Sequence, residues 1–349
     1  MTSGSPGGTG GAKLKTIHFL HYERNFCITL RRVNVTTRRA SGPDPAVGRW
    51  IRRALSSAPP RAKSLVVTVW GDAIAPHGGS VWLSGLIRLL APLGVNERLV
   101  RTSVYRLARE GWLTARPHGR QSVYSLTAQG RRRFEEAYRR IYAQPQPAWS
   151  GRWDVVLAPE ARLRAIARRE LGKELSWAGF GSLAPGIFVR PERRGEPETA
   201  TAILQDLGVA SQVTRIAATD HDGATRPLAS WAPACWNLDA VETEYSAFMA
   251  RFAGVTRKFR ALKTLDPEQC FVVRTLLIHE FRRVILHDPQ LPQELLPPQW
   301  PAPKAYTLCR DFYRLTHHHA ERYLATTLAP ELGALPPAAA YFYRRFGGL

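Results

Sequence analysis

Residues 96–110, NERLVRTSVYRLARE, constrain this chain more than any other stretch. At about 100° per residue, Arg98, Arg101, Thr102, Tyr105 and Arg109 share one narrow sector of a helical wheel, and Val100, Val104, Leu107 and Ala108 lie opposite. A helix divided in this way needs an apolar support on one side and water or a polyanion on the other. Asn96 suits the cap at its start, and Gly111 is a stop signal at its end.

The flanking sequence supplies the support. Trp50, Ile51, Ala54 and Leu55 recur at helical spacing before Pro59-Pro60. Leu65, Val66, Val69, Trp70 and Ile74 give a second helix, stopped by Pro76 and Gly78-Gly79. Trp82, Leu83, Leu86, Leu89 and Leu90 give a third, for which Ser80 is the expected N-cap. After the basic helix, Trp112–Arg116 and Ser122–Leu126 carry β-branched and aromatic residues around a Pro117–Arg120 turn, where Gly119 suits a tight hairpin. Thr127 opens another helix through Phe134, Ala137, Tyr138 and Ile141. Three helices followed by a hairpin is the order of a winged helix-turn-helix, with the basic helix in the reading position.

That reading assigns residues. Arg98, Arg101 and Thr102, in the N-terminal half of the helix, are the expected base readers, because arginine can hold a guanine edge bidentately and threonine contacts either base or phosphate. Ser103, Tyr105, Arg106 and Arg109 complete the helix set. Arg116, Arg120 and Ser122, with His118 and Gln121 at the hairpin tip, are placed to meet a neighbouring phosphate or minor groove. The basic runs Arg131–Arg133 and Arg139-Arg140 read as a solvated helix face.

Charge distribution agrees. The formal net charge is +21. Up to residue 142 there are 24 Lys/Arg against 7 Asp/Glu, an excess of 17; the remainder holds 25 against 21, an excess of 4. A basic module attached to a nearly neutral one suggests a polyanion grip and a separate sensing or assembly unit. With 349 residues the chain exceeds the roughly 250–300 residues that one core sustains, so several domains are expected. No apolar run of transmembrane length and no signal peptide is apparent, which predicts a cytoplasmic protein with no membrane partner. Cys27, Cys235, Cys270 and Cys309 form no CxxC pair and read as free thiols.

The rest of the chain changes character twice. Residues 1–46 form a Gly/Ser/Thr-rich start and a basic stretch, expected to be disordered or irregular, with Gly42-Pro43-Asp44-Pro45 breaking the chain. After Pro145 and Pro147, a β-α-β-α-β alternation follows. Its strands are Arg152–Leu157, Ile187–Val189 (with Trp177–Leu183 paired beside it) and Ser211–Ala218; its helices are Ala161–Leu175 and Thr199–Leu207. That suits a ferredoxin-like sheet covered by helices. Leu238–Phe252, Pro267–Leu286 and Tyr306–Leu328 are long apolar-periodic helices, the last two separated by the Pro-rich stretch Asp288–Pro303.

The stretch SLVVTVWGDAIAPHGGSVWLSGLIRLLAPLGVNERLVRTSVYRLAREGW, followed by GRQSVYSLTAQG, resembles the PaaX family, repressors of phenylacetic acid degradation operons. EFRRVILHDPQLPQELLPPQWP and AYTLCRDFYR resemble the same family, so the likeness runs from about Trp50 to near the C-terminus. The resemblance implies an α+β multidomain protein: a winged helix-turn-helix over 47–145, a Cas2-like, ferredoxin-like domain over 150–235, and a mainly helical C-terminal domain over 236–349 for effector binding and dimerisation. It implies a homodimer that binds operator DNA and is released by phenylacetyl-CoA. No cofactor is expected.

An acyl-CoA site needs cations, an aromatic surface and a dry pocket. His279, Arg282 and Arg283 lie at i, i+3 and i+4 on one helix face, with Arg274 two turns before Arg282; Trp300, Tyr306, Arg310 and Arg314 follow the Pro-rich loop. These are the effector candidates, with inter-helix ion pairs and core aromatics as the competing reading. The effector that the resemblance implies is phenylacetyl-CoA or another acyl-CoA.

Two alternatives bound this reading. A Cas2-type nuclease uses an Asp at the end of the first strand, but here Ala158, Pro159 and Glu160 stand there and Asp154 lies inside the strand, so the chain is expected not to be an enzyme. A constitutive architectural DNA-binding protein would bind by charge with no ligand response. His317-His318-His319 point in three directions on a helix and cannot all ligate one metal.

Overall fold

The computed structural model describes residues 42–119, 121–143, 149–159, 161–192, 198–220 and 227–349. The first helix, α1 (Pro45–Ser57), begins where the sequence suggested a break: the Asp44 carboxylate accepts from the Ala46 and Val47 amides, and Pro45 needs no amide partner at that position. Helix α2 (Ala62–Val69) runs into a π turn, Trp70–Ile74, and a 3-10 turn, Ala75–His77, before Gly78 reverses the chain at φ 92°.

Ser80 does not cap the third helix. Ser80–Trp82 is a short strand, β1, and α3 (Leu83–Leu90) starts after it. The reason is pairing across the module: β1 lies against β3 (Gln121–Leu126), with the Ser80 and Ser125 hydroxyls 2.8 Å apart. Then come α4 (Glu97–Arg109) and β2 (Leu113–His118). The strand order is β1-β3-β2, fully antiparallel. The expected Pro117–Arg120 turn is shorter than the sequence suggested, because β2 continues through Pro117 and His118, which face Ser122 and Gln121. Proline is tolerated there because β2 is an edge strand. Helix α5 (Ala128–Tyr142) closes the module, capped by the Thr127 hydroxyl accepting from the Gly130 amide.

The central part is β4 (Trp153–Leu157), α6 (Ala165–Trp177), β5 (Gly181–Ala184), β6 (Ile187–Pro191), α7 (Glu198–Asp206) and β7 (Thr214–Ala218). The sheet order is β5-β6-β4-β7, again antiparallel throughout. Trp177 ends α6 instead of opening a strand, and Gly181 starts β5. Val156, Leu171, Leu175, Phe188, Ala200 and Leu204 form a small core between sheet and helices, distinct from the main one.

The C-terminal part comprises α8 (Ala232–Trp236), α9 (Leu238–Ala261), α10 (Pro267–His287), α11 (Ala302–Leu332) and α12 (Ala340–Tyr343). Helix α10 is buried on nearly every side, from Gln269 to Ile285, because α2, α5, α9 and α11 surround it. The main core therefore runs without a break from Val47, through Leu65, Trp70, Leu86 and Val104, into Phe271, Leu277, Tyr313 and Phe346. Cys235, Cys270 and Cys309 are free thiols; Cys27 lies outside the described residues. No helix among the described residues is long and apolar enough to cross a membrane.

Candidate nucleic-acid interface and effector site

Helix α4 keeps the two faces read from its sequence. Val100, Val104 and Leu107 are buried against α2 and α3. Arg98, Arg101, Thr102, Tyr105, Arg106 and Arg109 are exposed, Tyr105 at 61% of its surface. Ser103 is a correction: it is buried among the apolar residues, and its hydroxyl donates to the Leu99 carbonyl at 2.7 Å, so it faces the core. The Asn96 side chain accepts from the Leu99 amide at 3.0 Å. At the far end Gly111 adopts φ 75°; its amide donates to the Ala108 carbonyl and that of Trp112 to Leu107, a paired closure that a residue with a Cβ rarely supports. Arg101 is already partnered, since its guanidinium donates to Glu97 at 2.7 Å.

The hairpin stands beside this helix, joined through Leu113 and the α4–β2 packing. Arg116 and His118 are exposed, and the His118 ring meets Trp82 edge-on at 5.4 Å, which fixes the tip of β2 over β1. Ser122 is half-buried opposite Pro117. Arg120 lies outside the described residues.

The effector candidates do not gather around one opening. Arg274 is fully buried; its Nη1 donates to Glu321 at 3.0 Å and its Nε lies 3.2 Å from Asp72. His279 is buried, with Nδ1 2.9 Å from the Thr68 hydroxyl, and burial with Arg282, Arg283 and Arg251 nearby lowers its pKa to about 4. Trp300 packs edge-on against Tyr245 in the core. Arg283 is exposed and loosely paired with Glu280, Arg310 pairs with Asp311, and Arg314 donates to the Gly348 carbonyl. Helical spacing placed His279, Arg282 and Arg283 on one face, but α2 covers that face at its inner edge.

Sequence reasoning missed the polar centre of the main core. Asp72, in the π turn after α2, is 2% exposed. Its carboxylate accepts from Tyr142 at 2.7 Å and Tyr313 at 3.0 Å, and Arg345 donates to it at 3.2 Å and to its carbonyl at 2.9 Å. Arg345 also donates to Tyr313 and lies over the Tyr142 ring at 4.3 Å. Burial raises the pKa of both tyrosines, so they donate as neutral phenols. The available signal was an isolated acid inside an otherwise apolar run, VVTVWGDAIA.

A cleft of about 1530 Å³ opens between α5, the C-terminal end of α6 and α10. Trp112, Phe134, Trp177, Arg133, Lys173 and Arg282 are among the side chains that line it. Arg140 spans its floor, donating to the carbonyls of Trp177 and Asp288. Asp154, the acid inside β4, is buried and held by Arg190 at 3.2 Å and Arg215 at 2.7 Å. Among the described residues no group of three or more His, Cys, Asp or Glu side chains is placed to hold a metal ion.

The architecture defines a class: a mixed helical chain with two small antiparallel sheets, carrying a basic helix and hairpin near one end and a four-stranded unit in the middle. The chain belongs to the PaaX family. Residues 61–130 match "PaaX-like protein", residues 146–229 "PaaX protein central Cas2-like domain" and residues 236–326 "PaaX-like protein C-terminal domain". Transcriptional repressor PaaX of Escherichia coli (strain K12) is 35% identical over 303 residues, covering 86% of this chain and 94% of that protein. Among solved structures, uncharacterized protein Rv0674 from Mycobacterium tuberculosis is similar at 24% identity, covering 75% of this chain and 98% of that one, with a TM-score of 0.48.

Proposed function

We propose that this chain is a ligand-responsive transcriptional repressor that binds operator DNA as a homodimer and acts in the cytoplasm without a cofactor. The observation that carries the reading is α4: six basic or hydroxyl-bearing side chains point outward beside an antiparallel hairpin, and the opposite face is buried. The E. coli relative bears the name of a transcriptional repressor, which supports it. In this reading residues 47–145 form a winged helix-turn-helix, 150–235 a ferredoxin-like domain and 236–349 the helical domain. Arg98, Arg101, Thr102, Tyr105, Arg106 and Arg109 enter the major groove, and Arg116, Arg120 and Ser122 meet the flanking backbone. The operon is one of aromatic-acid (phenylacetate) catabolism, and phenylacetyl-CoA or a related acyl-CoA releases the DNA. Ligand and DNA act against each other only if the ligand prefers a conformation that fits the operator badly.

Binding rather than catalysis is favoured by Asp154, whose carboxylate is occupied by two guanidiniums. The test is fluorescence anisotropy with DNA from upstream of the protein's own gene against random duplex, at several salt concentrations, with and without phenylacetyl-CoA and free CoA. The repressor reading expects a large affinity ratio that survives added salt and collapses with the aryl thioester. A ratio near one at every salt concentration would assign the chain to charge-driven architectural binding instead.

A further inference from the structure

The α5–α6–α10 cleft has features that its role as a domain junction does not require. Its volume, about 1530 Å³, is more than the roughly 300–1,000 Å³ of ordinary small-molecule sites. Cationic residues outnumber acidic ones along its lining by six to three. Several of those cations have clear structural partners: Arg190 holds Asp154, and Arg140 binds backbone carbonyls. Arg282 is different. Its Nη2 donates to the Ser64 hydroxyl at 2.7 Å and to the Ser64 carbonyl at 3.3 Å, its buried Nε meets no acceptor, and no ion pair to a carboxylate is formed among the described residues. Burial accordingly lowers its pKa, with only the Tyr142 hydroxyl acting the other way. A half-buried guanidinium that bonds only to Ser64 and has no carboxylate partner can take an anion as its counter-charge.

The second feature is Trp177, at the last turn of α6 and 55% exposed. An indole face left open to water at the edge of a cationic cleft is suited to stack on a planar ring. Lys173 lies one turn before it on the same helix, and Arg133 lies over the Trp112 ring at 4.9 Å on the opposite wall.

We propose that this cleft, and not the outer face of the C-terminal helices, is the effector site. It takes a phosphate-bearing ligand with a planar ring, the anion held by Arg282 with Lys173 and Arg133, and the ring on Trp177. The proposal rests on the ligand-responsive reading above and gives it a location. The three walls come from the three parts of the chain, so an occupant touches the helix that follows the hairpin, the sheet unit and the central helix of the core together.

The experiment is isothermal titration calorimetry of the full chain with phenylacetyl-CoA, and separately with adenosine 3′,5′-bisphosphate, paired with operator release by phenylacetyl-CoA. Trp177→Ala and Arg282→Ala are compared with Arg169→Ala, an exposed position on α6 outside the cleft, and with Arg310→Ala and Arg314→Ala on the rival face. Trp177 is exposed, so its variant keeps the fold if Arg282→Ala does not. The expected result is a roughly ten- to hundredfold loss of affinity in the Trp177 and Arg282 variants, the scale of one charge-assisted hydrogen bond, with the other three unchanged. Losses in the Arg310 or Arg314 variants alone overturn the location and leave the repressor reading intact. Tight, cleft-dependent binding with no effect on operator affinity keeps the site and removes the regulatory reading. Failure of both probes to bind overturns the site, and the affinity ratio between operator and random duplex then decides the repressor reading by itself.

Discussion

At the residue scale, Arg101 shows the difference between a side chain's type and its state. Its type and wheel position mark it as a base reader, and the structure adds that Glu97 already occupies it. The pair is more than half exposed on both sides, so holding it contributes only about 0.3–0.5 kcal/mol. Arg101→Ala is expected to weaken operator binding by about 1–3 kcal/mol if the guanidinium meets a base edge. Glu97→Gln is expected to do the reverse, tightening binding by about twofold or more, because Arg101 is released and one negative charge leaves the surface proposed to meet phosphate. Anisotropy titrations of both variants check the pair of signs; tighter binding in the first would remove Arg101 from the interface. His279 carries a second prediction. Its pKa is about 4 in the fold against an ordinary value near 6.5, so the unfolded chain binds the extra proton first as pH falls. The stability owed to neutral His279 is complete above about pH 6.5 and is lost between there and pH 4. Going from pH 8 to pH 5 should cost about 2 kcal/mol from this residue, and a His279→Gln variant should lack that part of the acid slope in urea titrations. Neither the burial of His279 nor that of Arg274 was legible in sequence. Their spacing places them correctly on α10, but whether a helix face meets solvent or another helix is decided by segments 200 residues away.

At the scale of elements, what was legible is what short-range chemistry decides. Asn96, Gly111 and the alternation of Val100, Val104 and Leu107 with arginines specify α4 without help from elsewhere, and the hairpin is nearly as local. β1 was not legible. Three residues carry no period of their own, and Ser80 looks like a cap until β3 is placed beside it. Pro45 is ambiguous for the opposite reason: after Gly42-Pro43 it reads as a break, yet behind an Asp44 cap it opens a helix. The cap of α4 is directly testable. Asn96→Ala removes the acceptor of the Leu99 amide and should lower stability by about 1 kcal/mol. Operator affinity should fall further than that change alone explains, since Arg98 and Arg101 sit in the first turns that fray. Equal effects on stability and binding would argue against fraying at that end.

Across the whole molecule, Asp72 joins segments that the sequence keeps apart: the turn after α2, the end of α5 through Tyr142, α10 through Arg274, α11 through Tyr313, and the C-terminal residues through Arg345. Removing one partner from such a buried set leaves charges with no counterpart, so Asp72→Ala is expected to cost about 3–5 kcal/mol. That is a large share of the 5–15 kcal/mol typical of a folded chain. Urea unfolding followed by tryptophan fluorescence measures it, and a loss under 1 kcal/mol would show that Arg274 and Arg345 find other acceptors. The order of the three parts was readable from composition and the family likeness. Their mutual packing was not, because α10 shows little amphipathic pattern: polar residues such as Arg274 and His279 stand among its apolar ones and are buried with them.

That all-round burial of α10 has a consequence for how such a protein can change over generations. A reading head that meets its sensor through a flexible tether can be exchanged as a cassette, and each half can drift alone. Here α2 and α5 lie directly on α10, and Ser64 and Thr68 bond to Arg282 and His279. Residues 42–143 grafted onto another C-terminal body would carry an uncovered apolar seam, and the new body would have to reproduce α10 side chain by side chain. Descendants of this chain should therefore alter DNA preference through the outward residues of α4 and keep the seam as a single inherited unit.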